Sequence, residues 1–89
     1  MRAVISVIGK DSKGIIAKTS MLLFESGINI LDISQTIMQD LFTMIMLVDL
    51  SESEKNVDSL RKDLDELAVK MNVSINVQHE NVFGSMHRI

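Results

Sequence analysis

The residues best placed to do chemistry sit in a short polar loop. Gly9-Lys10-Asp11-Ser12-Lys13-Gly14 separates two apolar runs, and it holds two of the chain's four glycines. After Gly14 the apolar residues recur at helical spacing, so the loop feeds a helix N-terminus. The first N–H groups of a helix lack intrahelical partners and carry a partial positive charge. A carboxylate or a phosphate suits such a place. The loop is not of the Walker type, because it lacks the Gly-Lys-Ser/Thr ending and its spacing. Local rules leave two readings: a plain strand-to-helix turn with Asp11 or Ser12 as N-cap, or a turn that holds an anion.

Other candidates carry less. His79, Glu80 and His87 form the one metal-like group in the sequence, but no histidine pair has the i, i+4 spacing of a helical zinc site. No metal and no cofactor are expected. Asp32 and Asp49 could be a carboxylate pair for acid–base work, although both read more simply as exposed strand positions. Seven methionines, Met44 and Met46 among them, suit either an adaptable surface or packing. The absence of cysteine excludes a disulfide framework, a Cys-based zinc site and thiol catalysis. A net charge of −3 with only three aromatic residues argues against direct nucleic-acid binding. No secretory leader pattern opens the sequence and no apolar run approaches the ~18 residues of a membrane span. A cytoplasmic protein with no membrane contact is expected.

The elements that must position the loop follow from hydrophobic period. Residues 2 to 8 are apolar on both faces, as a strand covered on both sides would be. Residues 14 to 26 read as a helix whose broad face is Ile16, Ala17, Ser20, Met21, Leu23 and Phe24. A narrower stripe, Ile15, Thr19, Leu22 and Ser26, lies off that face, and Gly27 ends the helix. Residues 28 to 38 alternate as a half-exposed strand, with Leu31, Ile33 and Ile37 against Asp32, Ser34 and Thr36. Gln39-Asp40 is the hairpin tip. Residues 42 to 50 are again apolar on both faces. A polar connector, 51 to 56, leads into a helix with the stripe Val57, Leu60, Leu64, Leu67, Ala68 and Met71. Val73, Ile75 and Val77 then alternate as an edge strand, and residues 80 to 89 form a tail or helical turn. The whole reads as one domain, 1 to 89, of the α+β class. The β-α-β-β-α-β order is ferredoxin-like: a four-stranded antiparallel sheet, first and third strands inside, with two helices on one face. The other face then needs the tail or a second subunit to cover it.

Within that order, Asp11-Ser12-Lys13-Gly14-Ile15-Ile16-Ala17, followed by Leu23 and Gly27-Ile28-Asn29-Ile30, resembles the front half of an ACT domain. The resemblance covers about residues 2 to 79. The Met86-His87-Arg88-Ile89 ending is similar to that of small stand-alone ACT proteins. One departure is Lys13, where many members have proline. The resemblance implies a regulatory domain, not an enzyme, that binds an amino acid or similar small effector at a homodimer or higher homo-oligomer interface. Asp11, Ser12, Lys13 and Gly14, with the N–H groups of Ile15 and Ile16, would face a ligand carboxylate. Asn29 and Ile30, from the turn of the neighbouring subunit, would complete the site. The off-face stripe Ile15-Thr19-Leu22-Ser26 would serve as interface. Output would pass to a separate, regulated partner protein. The alternative is a ligand-free interaction module that docks a partner through its sheet face or edge. An enzyme is disfavoured: no Ser-His or Cys-His set is evident, and the loop lacks the arginine that an acylphosphatase of the same topology places there.

Overall fold

The computed structural model describes residues 1–10 and 14–81. The elements are β1 (Arg2–Lys10), α1 (Ile15–Glu25), β2 (Asn29–Met38), β3 (Leu41–Asp49), α2 (Val57–Met71) and β4 (Ser74–His79). The expected order holds, with β1 running two residues further than expected. All strand pairs are antiparallel and the sheet order is β2-β3-β1-β4. β1 and β3 are therefore inside, as their two-sided apolarity required.

Residues opposite each other in an antiparallel ladder share a side of the sheet. Ala3, Ile5 and Val7 pair with Val48, Met46 and Met44, and Ile5 and Val7 also pair with Val77 and Ile75. All of these are buried, together with Leu60 and Leu64 of α2 and Ile15 and Leu23 of α1. Met44 and Met46 are thus core residues and no part of a surface. The opposite face carries Ile8, Leu41 and Ile45, each at least 40% exposed. Most of the expected tail, residues 82–89, lies outside the described residues.

α2 is amphipathic and well delimited. Asn56 caps it by accepting a 2.8 Å hydrogen bond from the Ser59 N–H, and Asn72 closes it in the left-handed conformation. Asp58 in the first turn and Lys70 in the last both suit the helix dipole.

α1 corrects the expectation. The stripe assigned to an interface is the core face: Ile15 and Thr19 are buried, and Leu22 and Ser26 half-buried. Of the face expected in the core only Leu23 is buried. Ile16 is 39% exposed, Met21 56% and Phe24 78%. The physical reason is that α1 is apolar nearly all round, so its period is clear but its phase is not.

β2 also departs from simple alternation. Its pairing passes from Ile30–Val48 to Asp32–Leu47, which leaves Leu31 as the extra residue of a bulge. The bulge brings Ile30 and Ile33 to the helix side although they are three residues apart. Ile33, Gln35 and Ile37 share that side, yet all are exposed, because β2 is an edge strand that the helices do not cover. Gln39-Asp40 does form the hairpin tip, and Gln39 takes the positive φ that such a tight loop asks for.

Candidate functional site

The two glycines around the polar loop have different causes. Gly9 lies against Val73: a Cβ built there would sit 2.6 Å from Val73 Cγ1. Only a residue without a side chain lets β1 pass Val73 and continue to Lys10. Gly14 has open space around it among the described residues, but its φ is +85°, which L side chains avoid. Gly14 is itself the N-cap of α1, so neither Asp11 nor Ser12 holds that position.

The helix end built this way offers donors. The Lys18 N–H donates to Gly14 O at 2.9 Å, the first bond of the helical ladder. The N–H groups of Ile15 and Ile16 precede that bond. The first turn contains no acidic side chain. The Ile15 side chain is buried and anchors the turn in the core, whereas the Ile16 side chain is partly exposed on the flank. Asp11, Ser12 and Lys13 lie outside the described residues.

Asn29 and Ile30 stand elsewhere. Asn29 pairs with Asp49 at one end of the sheet, and Lys10 pairs with Leu41 at the other. Gly14 comes four residues after Lys10, and the 11 residues of α1 run back over the sheet for about 16 Å before β2 begins. One chain therefore does not bring Gly14, Ile15 and Ile16 together with Asn29 and Ile30. Between the two groups runs an apolar margin. Ile16, Ser20 and Phe24 recur at i, i+4 and i+8 along one flank of α1, beside the exposed edge strand β2 with Ile33 and Ile37. Sequence reasoning missed this flank. The signal was available in the near-uniform apolarity of α1, which a helix covered on one face alone does not need.

The remaining candidates make local contacts. The Arg2 guanidinium grips both Glu80 carboxylate oxygens at 2.5 Å and holds that carboxyl below the ordinary glutamate range. The Ser51 hydroxyl and N–H donate to Asp49 Oδ1 at 2.8 and 3.0 Å, which lowers the Asp49 carboxyl from its ordinary value. Asp32 accepts from the Ile33 N–H. His79 Nδ1 accepts from the Asn81 N–H. No group of three or more potential metal ligands occurs among the described residues. His87 lies outside them. No described helix is long and apolar enough to cross a membrane.

The sequence model of the ACT domain matches residues 2–78. The chain belongs to the ACT-domain family. A UPF0237 protein of Clostridium acetobutylicum is 57% identical to it over 89 residues, all of both chains. A UPF0237 protein of Methanocaldococcus jannaschii is 51% identical over 88 residues, 99% of this chain and 98% of its own. An ACT domain protein from Streptococcus pneumoniae has the same fold, with a TM-score of 0.82 at 40% identity over 93% of each chain. The ligand-free regulatory subunit of aspartate kinase from Thermus thermophilus shares the fold alone, with a TM-score of 0.69 at 22% identity over 89% of this chain and 51% of that one. ACT domains are regulatory and often bind amino acids.

Proposed function

We propose that this ACT domain is a non-enzymatic sensor that binds an amino acid or a similar small effector between two copies of itself and signals to a separate protein. The observation that carries the reading is that Gly14, Ile15 and Ile16 lie at the opposite end of one sheet from Asn29 and Ile30. An antiparallel two-fold pairing of β2 with β2 of a second copy reverses the partner. Such a pairing would lay Asn29 and Ile30 of the partner subunit beside the N-terminus of α1, twice per dimer. The exposed edge of β2 and the Ile16-Ser20-Phe24 flank supply the contact. The ligand carboxylate would meet the N–H groups of Ile15 and Ile16, with Asp11, Ser12, Lys13 and Gly14 forming the loop around it and Asn29 of the partner subunit closing the site. No cofactor is needed for such a clamp, and the compartment that fits is the cytoplasm.

Isothermal titration of the purified chain across the amino acids tests this, with the apo dimer first verified by sedimentation. Saturable binding of one or a few amino acids that is lost in Gly14→Ala is expected. A dimer that binds none of them at millimolar ligand would overturn the reading. A second reading, a ligand-free docking module, draws on the exposed Ile8, Leu41 and Ile45 of the open sheet face. Under that reading Ile45→Asp abolishes partner capture and leaves ligand titrations blank.

A further inference from the structure

Between α1 and α2 the helical layer is cut by an open groove of about 690 Å³. Its lining includes Lys18, Met21, Leu22 and Glu25 of α1 and Glu66 and Lys70 of α2. The helices run antiparallel, because α1 starts where β1 stops at Lys10 and α2 starts from the other end of the sheet, where β3 stops at Asp49. Lys18 and Lys70 therefore share one end of the groove, and Glu25 lies at the other. Seven residues of helix, about 10 Å, separate Lys18 from Glu25. None of these four charged residues has an ion pair among the described residues. Midway along α1 lie Met21, 56% exposed, and half-buried Leu22.

We propose that this face binds a second copy of the chain, helix layer on helix layer. The two-fold axis lies in the interface, at right angles to the helices. That operation lays α1 antiparallel on its own copy. With the axis beside Met21, Lys18 faces Glu25 of the partner subunit at both ends, and the two Met21 side chains meet at the centre. An axis parallel to the helices would instead set Lys18 over Lys70 of the partner subunit and Glu25 over the partner's neutral Lys55–Asp63 pair, so the charge pattern selects the first. α2 also meets its own copy, and Glu66, near the middle of the groove, faces Glu66 of the partner subunit. The surface is separate from the β2 edge, so two edge-paired dimers stacked this way make a tetramer. If the edge pairing fails, the same contact makes a dimer, and the two readings fail independently.

Sedimentation of the full chain at low ionic strength tests the contact. Wild type is expected to show an assembly one doubling larger than Lys18→Glu, whose dissociation constant for that step rises about tenfold as two symmetric pairs turn repulsive. The double variant Lys18→Glu/Glu25→Lys restores the pairs in swapped form and recovers the assembly. Glu25→Gln loosens it, whereas Glu66→Gln tightens it, although each removes one negative charge from a chain of net −3. A double variant no better than Lys18→Glu overturns the proposal. So does parallel behaviour of the two glutamine variants, or a wild type no larger than Lys18→Glu. Circular dichroism confirms the fold of each variant, all of which change surface groups of the groove.

Discussion

Gly9 and Gly14 invite the same substitution for opposite reasons, and the outcomes should differ in kind. Alanine at position 9 puts a Cβ 2.6 Å from Val73 Cγ1, 3.0 Å from Val73 Cβ and 3.4 Å from Val73 Cα. Resting carbon contacts are about 3.5–4.0 Å, so the first is about 1 Å too short. Val73 cannot swing away cheaply, since its branched side chain is stiff and packs against the core. Overpacking of this kind costs about 1–3 kcal/mol. In a domain of this size that lowers Tm by roughly 5–20 °C. At position 14 the added Cβ meets nothing among the described residues, and the cost is that of a left-handed backbone, about 1–2 kcal/mol. Asparagine tolerates that conformation, so Gly14→Asn should be milder than Gly14→Ala, while Gly9→Asn should be worse than Gly9→Ala. The assay is urea unfolding at one fixed protein concentration, because self-association would otherwise move the midpoint. Adding Val73→Ala removes the 2.6 Å contact, so the double variant should be about 1 kcal/mol more stable than the two single costs imply. Strict additivity at 9 and 73, or asparagine at 14 faring no better than alanine, would refute the argument.

Three other predictions test the frame around the site. Thr19 is fully buried and its hydroxyl has no partner among the described residues, so Thr19→Val should leave stability unchanged or raise it by about 1 kcal/mol in the same urea assay. A clear loss would mean that the hydroxyl is bonded. Leu23→Asp buries an unpaired charge and should abolish the folded circular dichroism signal, whereas its neighbour Phe24→Asp should fold normally and sediment as a weaker dimer. The Arg2–Glu80 pair lowers the carboxyl's pKa in the folded state, so its contribution is present above the ordinary glutamate range and fades as pH falls through the lowered value. Wild type should thus exceed Glu80→Gln in stability at neutral pH and converge with it in acid; a gap independent of pH would exclude the linkage.

The fold was legible because its signals are redundant. Two strands apolar on both faces had to be inner, and α2, with one apolar stripe and clear caps, could face only one way. α1 was different. Ile15, Ile16, Leu22, Leu23 and Phe24 spread around the helix, so the sequence carried its period without its phase, and the core and outer stripes were exchanged. The bulge at Leu31 was also hidden, because Leu31 and Ile33 fit a plain alternation just as well. The candidate site was legible only through its resemblance to a family. Local rules could find donors at the start of α1, but nothing in a linear pattern says that Asn29 lies at the other end of the sheet from them. The sheet register says that one chain holds the two groups apart.

Under the proposed function, that separation would make effector binding and self-association a single equilibrium. If each site needs Gly14 to Ile16 from one subunit and Asn29 from the other, the monomer has only half-sites and the ligand binds the dimer. A ligand at concentration [L] then multiplies the dimer association constant by the square of 1 + [L]/Kd, since the two-fold creates two sites. At ten times Kd the gain is roughly a hundredfold, or about 2.8 kcal/mol. Sedimentation at protein concentrations near the apo dissociation constant would show the dimer fraction rise with the amino acid identified by titration. Phe24→Asp should weaken the dimer and lower the apparent ligand affinity with it, although Phe24 need not touch the ligand. A ligand that saturates the protein without moving the monomer–dimer equilibrium would place the whole site within one chain. Asn29, at the far end of the sheet from Gly14, would then have no part in that site.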